Sequence, residues 1–217
     1  MPWSDDALAR RLAADIEPGW VVNLGVGLPT LVAEHLVDRP VLVHAENGIL
    51  GVGPPPAPGD EDPDIIDPGK NPVTIVPGAA YMDSLTSFAL IRGGHLDLAV
   101  MGAFQVSAGG DLANWRIPGR LGGAIGGAAD LAAGSRRVWA MTSHRTRDDH
   151  AKLVHRCTYP LTAAGVVTRV YTDLAVLDVT AEGFTLVELA PDVDVARLVA
   201  VTEAPIEIAT EAANGQR

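Results

Sequence analysis

Three turns in the sequence carry glycine or polar residues that could take part in chemistry, and each follows a short apolar run. They are Asn23 with the Gly25-x-Gly27 turn, Glu46-Asn47-Gly48, and the turn at 101–105. In an open α/β sheet, ligands bind at the carboxyl ends of the strands, where these turns would lie. A carboxylate followed by Asn-Gly indicates a sharp turn that presents the Glu46 side chain at its tip. The residue types leave a second role open, in which Glu46 caps the turn through nearby backbone N–H groups.

Two glycine-rich segments have patterns that are typical of anion or nucleotide binding. Residues 122–127 precede an alanine-rich helix predicted to begin near Ala128. Backbone N–H groups at a helix N-terminus can hold a negative oxygen. The Gly25-x-Gly27 turn matches half of a dinucleotide fingerprint, but Thr30 stands where the last glycine is expected. The residues therefore favour a tight strand-to-helix turn over a nucleotide site.

The sequence does not indicate a metal site or a redox site. His44 and Glu46 would share one face of a strand, but no third ligand is near them in the sequence. We therefore expect no metal to bind there. The acidic segment 60–64 is expected to be a solvated loop. Cys157 is the only cysteine, which excludes an internal disulfide and a multi-thiolate metal site, and we expect its thiol to be inert.

The elements that would position these turns alternate between apolar strands and amphipathic helices. Strands are predicted at 20–24, 41–43, 73–76, 96–101, 136–141, 174–179 and 184–189. Helices are predicted at 4–16, after Thr30, at 83–91, from Ala128 onward, and at 194–201, with a long loop at 52–72. This alternation predicts the α/β class. We expect a single domain over residues 1–217, with a mostly parallel sheet flanked by helices.

The composition of the chain excludes several further classes of protein. The chain has 217 residues, of which 47% are apolar and 20% are charged, and its net charge is −11. A protein that binds duplex nucleic acid needs basic patches to neutralise phosphates, and none stands out, so we expect no nucleic-acid partner. No apolar run approaches the ~18 residues of a membrane span. The acidic N-terminus lacks the pattern of a secretory signal, and we expect a cytoplasmic protein.

Six segments, in order along the chain, resemble the motifs of one known family. They are 23–30, 44–54, 87–97, 102–107, 110–115 and 156–162, within a stretch of about residues 20 to 190. The chain is identified from them as similar to the β (B) subunit of family I 3-oxoacid coenzyme A (CoA) transferases. The resemblance implies the α/β fold that this family shares with sugar-phosphate isomerases.

The resemblance also implies a covalent mechanism. The glutamate of the Glu-Asn-Gly stretch, here Glu46, is the nucleophile and becomes a glutamyl-CoA thioester while CoA passes between two acids. A backbone N–H at Gly127 would bind the oxyanion, Asn23 would lie near the reacting centre, and Lys70 would reach the CoA phosphates. The remaining substrate- or CoA-binding positions that it implies are Gly25, Gly27, Asn47, Gly48 and Gly126.

The partners implied by the resemblance are a second protein chain and two small molecules. A separate A subunit would supply much of the remaining active-site wall, including a glutamine, in a heterotetramer of two copies of each subunit. No metal and no organic cofactor are implied, because CoA is itself the group that is carried. Succinyl-CoA would be the donor and a 3-oxo acid the acceptor. Most of the distinguishing segments favour 3-oxoadipate, whereas 117–119 is similar to the acetoacetate type, so acetoacetate stays open.

Two departures from the family pattern bear on rate and substrate fit. Ala45 stands where serine usually precedes the nucleophile, and segment 123–130 lacks the usual methionines. Two other functions also stay open. A relative with the same fold could bind a ligand or partner without catalysis, but such a protein has no need of a protruding carboxylate. A CoA thioester hydrolase would differ only in letting water attack the glutamyl thioester.

Overall fold

The computed structural model describes residues 1–208 and shows an α/β fold, as predicted. The helices are α1 (Asp5–Ala14), a 3₁₀ helix (Leu28–Leu36), α2 (Ser84–Arg92), α3 (Ala128–Gly134) and α4 (Val195–Val201). The strands are β1 (Val21–Leu24), β2 (Leu42–Ala45), β3 (Ile49–Val52), β4 (Ile75–Tyr81), β5 (Leu98–Gly102), β6 (Gln105–Ser107), β7 (Leu112–Ala113), β8 (Val138–Thr142), β9 (Leu153–Val154), β10 (Val167–Thr172), β11 (Ala175–Thr180), β12 (Gly183–Leu189) and β13 (Ile206–Ile208).

Within these residues, ten strands form one sheet in the order β13-β12-β11-β10-β8-β5-β1-β2-β3-β4. The centre, from β10 to β2, is entirely parallel. Antiparallel pairs lie to either side, and β12 and β13 pair parallel. Strands β7, β6 and β9 form a second, smaller sheet. The parallel centre brings the carboxyl ends of β1, β2, β5, β8 and β10 to one edge, where the sequence predicts a ligand site.

The core occupies both faces of this sheet. Leu98 and Val100 of β5 belong to one buried cluster, and Ala99 and Met101 belong to the other. Successive side chains of a strand point to opposite faces, so the two clusters lie on opposite sides of the sheet. Burial on both faces explains why the central strands are continuous apolar runs.

Side-chain caps define three helix starts near the predicted positions. The Ser4 hydroxyl accepts a hydrogen bond from Ala7 N at the start of α1. The carboxylates of Asp83 and Asp194 accept equivalent bonds at the starts of α2 and α4. Each such cap stabilises its helix by about 1 kcal/mol. Within the described residues, no helix combines the length and apolar character needed to cross a membrane.

Three main-sheet strands, β3, β10 and β13, lie where the sequence did not predict strands. Strand β10 contains Arg169, whose charge interrupts the apolar pattern. Its guanidinium donates to Asp178 and to Asp15, and it stacks near the Trp139 ring. The charge is therefore compensated by Asp178 on the neighbouring strand β11 and by Asp15, which is 154 positions away in the sequence. In addition, β4 begins at Ile75 and extends to Tyr81, beyond the predicted 73–76.

The β2–β3 hairpin contains the Glu-Asn-Gly segment as its loop. Ala45 pairs with Ile49, which leaves residues 46–48 as the connection, and Gly48 N donates to Ala45 O at 3.0 Å. Gly48 has a φ of +121°, and a Cβ at this position would lie 2.2 Å from Met82 O. A side chain at position 48 is therefore excluded both by its own backbone conformation and by its neighbour. The sharp turn predicted from the Asn-Gly pair is confirmed.

We predict that Gly48→Ala destabilises the protein by at least about 2 kcal/mol, because the positive φ and the contact with Met82 both oppose a Cβ. Gly59→Ala is the matched control, since Gly59 has a φ of +95° with no atom within 4 Å of its Cβ position. This variant should lose only about 1 kcal/mol. Urea unfolding of both variants measures the difference, and equal losses would show that the Met82 contact is unimportant.

Candidate active site

The ends of β1 and β2 bring Asn23 and Glu46 together. Asn23 pairs with His44 in the parallel register, which places its side chain beside the turn that follows β2. Asn23 Nδ2 donates a hydrogen bond to Glu46 Oε2 at 3.1 Å. Asn23 itself is buried, with 1% of its surface exposed. The carboxylate of Glu46 is thus held over the end of β1 by an amide that packing keeps in place.

A buried network below the turn fixes the backbone of Glu46. His44 Nε2 and Ser87 Oγ are 3.0 Å apart, and Ser87 Oγ donates to Glu46 O at 2.9 Å. Because the serine hydrogen is used in this way, Ser87 accepts from a protonated Nε2 of His44. Nδ1 is then the unprotonated nitrogen of the ring, 3.3 Å from Asn23 Nδ2. Burial lowers the pKa of His44 to about 4, in agreement with a neutral imidazole.

Gly127 lies beside the Glu46 side chain. It is the N-cap residue of α3, so its N–H lies outside the helical hydrogen-bond pattern. A Cβ at position 127 would lie 3.5 Å from Glu46 Cγ and 3.1 Å from Phe88 Cζ. The Gly127 backbone and the carboxylate-bearing side chain are therefore neighbours. The start of α3 near Ala128, predicted from the glycine-rich segment, is confirmed.

Helix α2 supports both sides of this arrangement. Ser87 contacts the carbonyl oxygen of Glu46, and the next residue, Phe88, packs against Gly127. One element therefore contacts both the Glu46 backbone and the Gly127 backbone. Sequence reasoning missed Ser87 and considered His44 only as a metal ligand. The available signals were the place of His44 two residues before Glu46 on one strand and the place of Ser87 at the start of the family-like segment 87–97.

An open cavity of about 990 Å³ lies at this edge of the sheet, with Gly25, Glu46, Gly126 and Gly127 in its wall. Gly25 N donates to Val100 O at 2.8 Å, and a Cβ at position 25 would lie 3.0 Å from the same oxygen. Glycine at position 25 lets β1 continue tightly against β5. Four of the predicted site residues therefore share one cavity, and Asn23 contacts the carboxylate within it.

The other predicted site residues lie outside the cavity wall. Gly27, with a φ of +93°, begins the 3₁₀ helix, which agrees with a strand-to-helix turn. Asn47 Nδ2 donates to Ile66 O at 2.7 Å and so ties the long loop to the hairpin. Gly48 packs against Met82. Lys70 is exposed on the long loop, whose Pro68 does line the cavity. The phosphate-binding role of Lys70 stays a prediction.

Other candidates take no part in the cavity. In residues 1–208, no group of three or more histidine, cysteine, aspartate or glutamate side chains is arranged to hold a metal ion. The acidic segment 60–64 is exposed, as predicted. Burial raises the pKa of Cys157 to about 11, so its thiol is protonated at neutral pH and is a poor nucleophile.

Comparison with known proteins identifies the family to which this chain belongs. The coenzyme A transferase family model matches residues 6–201. The chain belongs to the coenzyme A transferase family. The B subunit of the 3-oxoadipate CoA-transferase of Pseudomonas putida is 53% identical over 201 residues, covering 92% of this chain and 94% of that protein. The B subunit of the succinyl-CoA:3-ketoacid coenzyme A transferase of Helicobacter pylori is 43% identical over 203 residues, covering 94% and 98%.

A solved coenzyme A transferase shares the fold. The crystal structure of an acyl-CoA transferase from Escherichia coli O157:H7, in a thioester complex with CoA, matches with a TM-score of 0.76 at 20% identity. The match covers 98% of this chain and 43% of the solved chain, so the present chain spans less than half of that protein. The resemblance to 3-oxoacid coenzyme A transferases of the B type, stated from the six motifs, is confirmed.

We predict that this coenzyme A transferase loses stability as the pH falls from about 6.5 to 4. Burial lowers the pKa of His44 and of His144 from 6.5 to about 4, so in this range the unfolded chain binds protons that the folded chain does not. The stabilisation is complete above pH 6.5 and is lost towards pH 4, at roughly 3 kcal/mol for each histidine.

The measurement is urea unfolding at pH 7 and pH 4.5. In His44→Gln, the drop in stability between the two pH values should be about 2 kcal/mol smaller than in the wild type. His144→Gln is the matched variant at the other buried histidine, and the double variant should show the smallest drop. An unchanged drop in both single variants would mean that neither imidazole is held neutral by burial.

Proposed function

We propose that this chain is the β subunit of a CoA-transferase that moves CoA from succinyl-CoA to a 3-oxo acid, with Glu46 as the nucleophile. The observation that carries the proposal is the placement of the Glu46 carboxylate. It lies at the tip of a hairpin, hydrogen-bonded by Asn23 at 3.1 Å and adjacent to the Gly127 backbone, in the wall of an open cavity. A carboxylate that only capped its own turn would not require a buried amide from another strand.

In the first half of the reaction, the Glu46 carboxylate attacks the carbonyl carbon of succinyl-CoA. The C–S bond breaks, which gives a mixed anhydride and the CoA thiolate. The thiolate then attacks the Glu46 carbonyl of the anhydride, which forms the glutamyl-CoA thioester and releases succinate. A carboxylate suits both steps because it is a nucleophile at neutral pH and becomes an acyl group once it has reacted.

The second half reverses these steps on the acceptor. The carboxylate of the 3-oxo acid attacks the glutamyl thioester, which gives a new mixed anhydride and again the CoA thiolate. The thiolate attacks the acceptor's carbonyl, so that the new acyl-CoA leaves and Glu46 returns as a carboxylate. No net proton or electron is exchanged, and the sequence of steps needs no metal and no organic cofactor.

Asn23 and Gly127 are the groups in this chain that can stabilise the charges which develop. The Asn23 amide that binds the carboxylate oxygen of Glu46 would also hold the oxygen of the glutamyl thioester. The Gly127 N–H, at the N-terminus of α3, is the proposed donor to the tetrahedral oxyanion. One well-placed donor of this kind is worth roughly 3–4 kcal/mol in the transition state.

The proposal includes a partner chain. Both B-type relatives are named as subunits, and the solved acyl-CoA transferase chain is more than twice as long as the region that matches. Val26 and Ile125, which line the cavity, are 60% and 39% exposed. Apolar side chains at the mouth of a cavity are suited to cover by another protein. We expect an A subunit there, in a heterotetramer of two copies of each chain.

For the acceptor, we favour 3-oxoadipate over acetoacetate. Two relatives named as 3-oxoadipate CoA-transferase B subunits are 53% and 45% identical to this chain, whereas two named as succinyl-CoA:3-ketoacid or probable succinyl-CoA:3-ketoacid B subunits are 43% and 44% identical, over similar lengths. The two acceptors differ in chain length and in a second carboxylate, so kinetics with each acid, measured with the complete complex, separates them.

We predict that Glu46 becomes covalently modified when the complex with the A subunit is incubated with succinyl-CoA. Borohydride reduces a glutamyl thioester to an alcohol, which intact-mass and peptide mass spectrometry would locate at Glu46. Glu46→Gln should show no modification and lose at least ~10⁴-fold in kcat. Glu34→Gln, on an exposed glutamate of the 3₁₀ helix, is the matched control and should behave as the wild type.

Two results would contradict the proposed CoA-transferase function and favour another one. An intact complex that binds CoA but leaves Glu46 unmodified would identify a binding protein instead of a transferase. A thioester that forms but is released as fast in water alone as with a 3-oxo acid would identify a hydrolase.

We also predict that Gly127→Ala lowers kcat/KM by about 10- to 100-fold. The added methyl would lie 3.5 Å from Glu46 Cγ and would occupy space that the acyl group needs. The φ of −80° suits alanine, so the free energy of unfolding should change by less than about 1 kcal/mol. Combining it with Phe88→Leu removes the 3.1 Å contact to Phe88 Cζ. Wild-type activity in the double variant would show that Gly127→Ala lowers kcat/KM only through the contact of its methyl group with Phe88.

A further inference from the structure

The contacts of the Asn23 amide lead to Glu46 twice, once directly and once through two buried side chains. On the direct path, Asn23 Nδ2 donates to Glu46 Oε2 at 3.1 Å. On the other path, Asn23 Nδ2 lies 3.3 Å from His44 Nδ1, and His44 Nε2 lies 3.0 Å from Ser87 Oγ. Ser87 Oγ then donates to Glu46 O at 2.9 Å. These four residues therefore form a closed hydrogen-bonded cycle, which joins the carboxylate of Glu46 to its own backbone carbonyl.

The members of this cycle that support Glu46 are closed to solvent. Asn23 and His44 are each 1% exposed, and Ser87 is 0% exposed. Within residues 1–208, Asn23 Oδ1 has no hydrogen-bond partner. Buried polar atoms are nearly always paired, so this oxygen raises the question of why the amide does not turn over to bring it to a donor.

The direction of the hydrogens in the cycle answers this question. In the reverse direction, the Ser87 hydroxyl would donate to His44 Nε2, and Asn23 Oδ1 would accept from a protonated His44 Nδ1. That arrangement pairs Oδ1, but it takes a donor away from Glu46 Oε2, from Glu46 O and from His44 O, which accepts from Asn23 Nδ2 at 3.1 Å. It would also turn Oδ1 towards a carboxylate. One unpaired acceptor costs less than three, so the observed direction is favoured.

The tautomer of His44 is what makes this direction possible. An unprotonated Nδ1 accepts from the Asn23 amide, whereas a protonated Nδ1 would oppose it. Ser87 sets the tautomer, because its own hydrogen is bound to Glu46 O and its oxygen can only accept from Nε2. Burial lowers the pKa of His44 to about 4, so the imidazole does not carry a second proton at neutral pH.

We propose that His44 and Ser87 are positioning residues for the reaction at Glu46, acting through Asn23, whose N–H groups they keep directed at the Glu46 carboxylate. The inference rests on the proposed function and adds the two buried residues that control its amide donor. In both halves of the reaction, a nucleophile attacks the Glu46 carbonyl carbon, and negative charge develops on a Glu46 oxygen. A donor that is already oriented stabilises this charge without reorganisation, whereas an amide that has turned over presents its oxygen to the charge.

The kinetic test uses the complete complex with the A subunit and two variants at position 44. His44→Leu keeps a side chain of similar size but removes the acceptor at Nδ1, and it should lower kcat with succinyl-CoA by about 10- to 100-fold. KM should change less than about threefold, because the lost interaction belongs to the transition state. His44→Asn can place an amide oxygen near the position of Nδ1, and its kcat should stay within about fivefold of the wild type.

Nitrogen NMR of the histidine side chains tests the direction of the hydrogens without any chemistry. The complex is prepared with ¹⁵N-labelled histidine in this chain alone, and the His44 signals are assigned by their loss in His44→Asn. At pH 7, wild-type His44 should have a protonated Nε2 and an unprotonated Nδ1. Ser87→Ala removes the acceptor of Nε2, so the fraction with a protonated Nδ1 should rise and kcat should fall about 3- to 30-fold.

The matched control for Ser87→Ala is Ser84→Ala. Ser84 is the first residue of the same helix and is exposed. Its replacement by alanine should change neither the His44 tautomer nor kcat.

Four results would overturn the proposal. Equal losses of kcat in His44→Leu and His44→Asn would show that the residue only fills space. Wild-type kcat in His44→Leu would show that the acceptor is not needed. A protonated Nδ1 in wild-type His44 would mean that the cycle runs in the reverse direction. An unchanged tautomer in Ser87→Ala would mean that Ser87 does not set it. The two NMR results decide the matter even if His44→Leu fails to fold.

The failure of this inference is distinguishable from the failure of the proposed function. A wild-type complex that forms no glutamyl thioester rejects the Glu46 mechanism, whatever the state of His44. In that case, the NMR spectra of the wild type and of Ser87→Ala still show separately whether His44 and Ser87 hold the Asn23 amide in its orientation.

Discussion

The hydrogen bond from the Asn23 amide to the Glu46 carboxylate, at 3.1 Å, links the interior of the sheet to its reactive edge. Asn23 belongs to a strand that is buried on both sides, so its side chain has little freedom. Glu46, by contrast, lies on a three-residue loop that would be mobile by itself. The geometry of the loop is therefore set by the packing of β1 and β2, and the cavity is arranged around a carboxylate whose position the core determines.

The buried polar network adds a second level of support without adding charge. His44 is held neutral, and it relays a hydrogen bond from Asn23 through Ser87 to the carbonyl oxygen of Glu46. A protonated imidazole here would place a positive charge near the carboxylate and so reduce its nucleophilicity. Fixing the turn with neutral groups leaves the carboxylate free to react.

Local patterns in the sequence were enough to predict the mostly parallel sheet, the helices that begin near Asp83 and Asp194, and the sharp turn at Gly48. Each of these depends on residues that are close together in the chain. Strand β10 was not predicted, because the compensation of Arg169 by Asp15 comes from a residue far away in the sequence.

The candidate site was predictable only in part, for the same physical reason. Glu46 stands out by its turn, but its contact with Ser87 joins residues 41 positions apart, and its proximity to Gly127 joins two different motifs. The resemblance to a family indicated that Glu46 and Gly127 belong to one site, because periodicity within a single sequence cannot show which distant residues lie together.

Helix α2 positions both sides of the site through adjacent residues, Ser87 against the Glu46 carbonyl and Phe88 against Gly127. A helix turns by about 100° per residue, so one inserted or deleted residue near its start would rotate both contacts away together. The loop at 52–72 lies mostly at the surface and contacts the hairpin through the Asn47 hydrogen bond and through Ile65, which packs on the cluster of Ala45 and Ile49. Insertions and deletions during evolution are therefore tolerated in the loop but not at the start of α2. The first turn of α2 must keep its register for the site to keep its geometry.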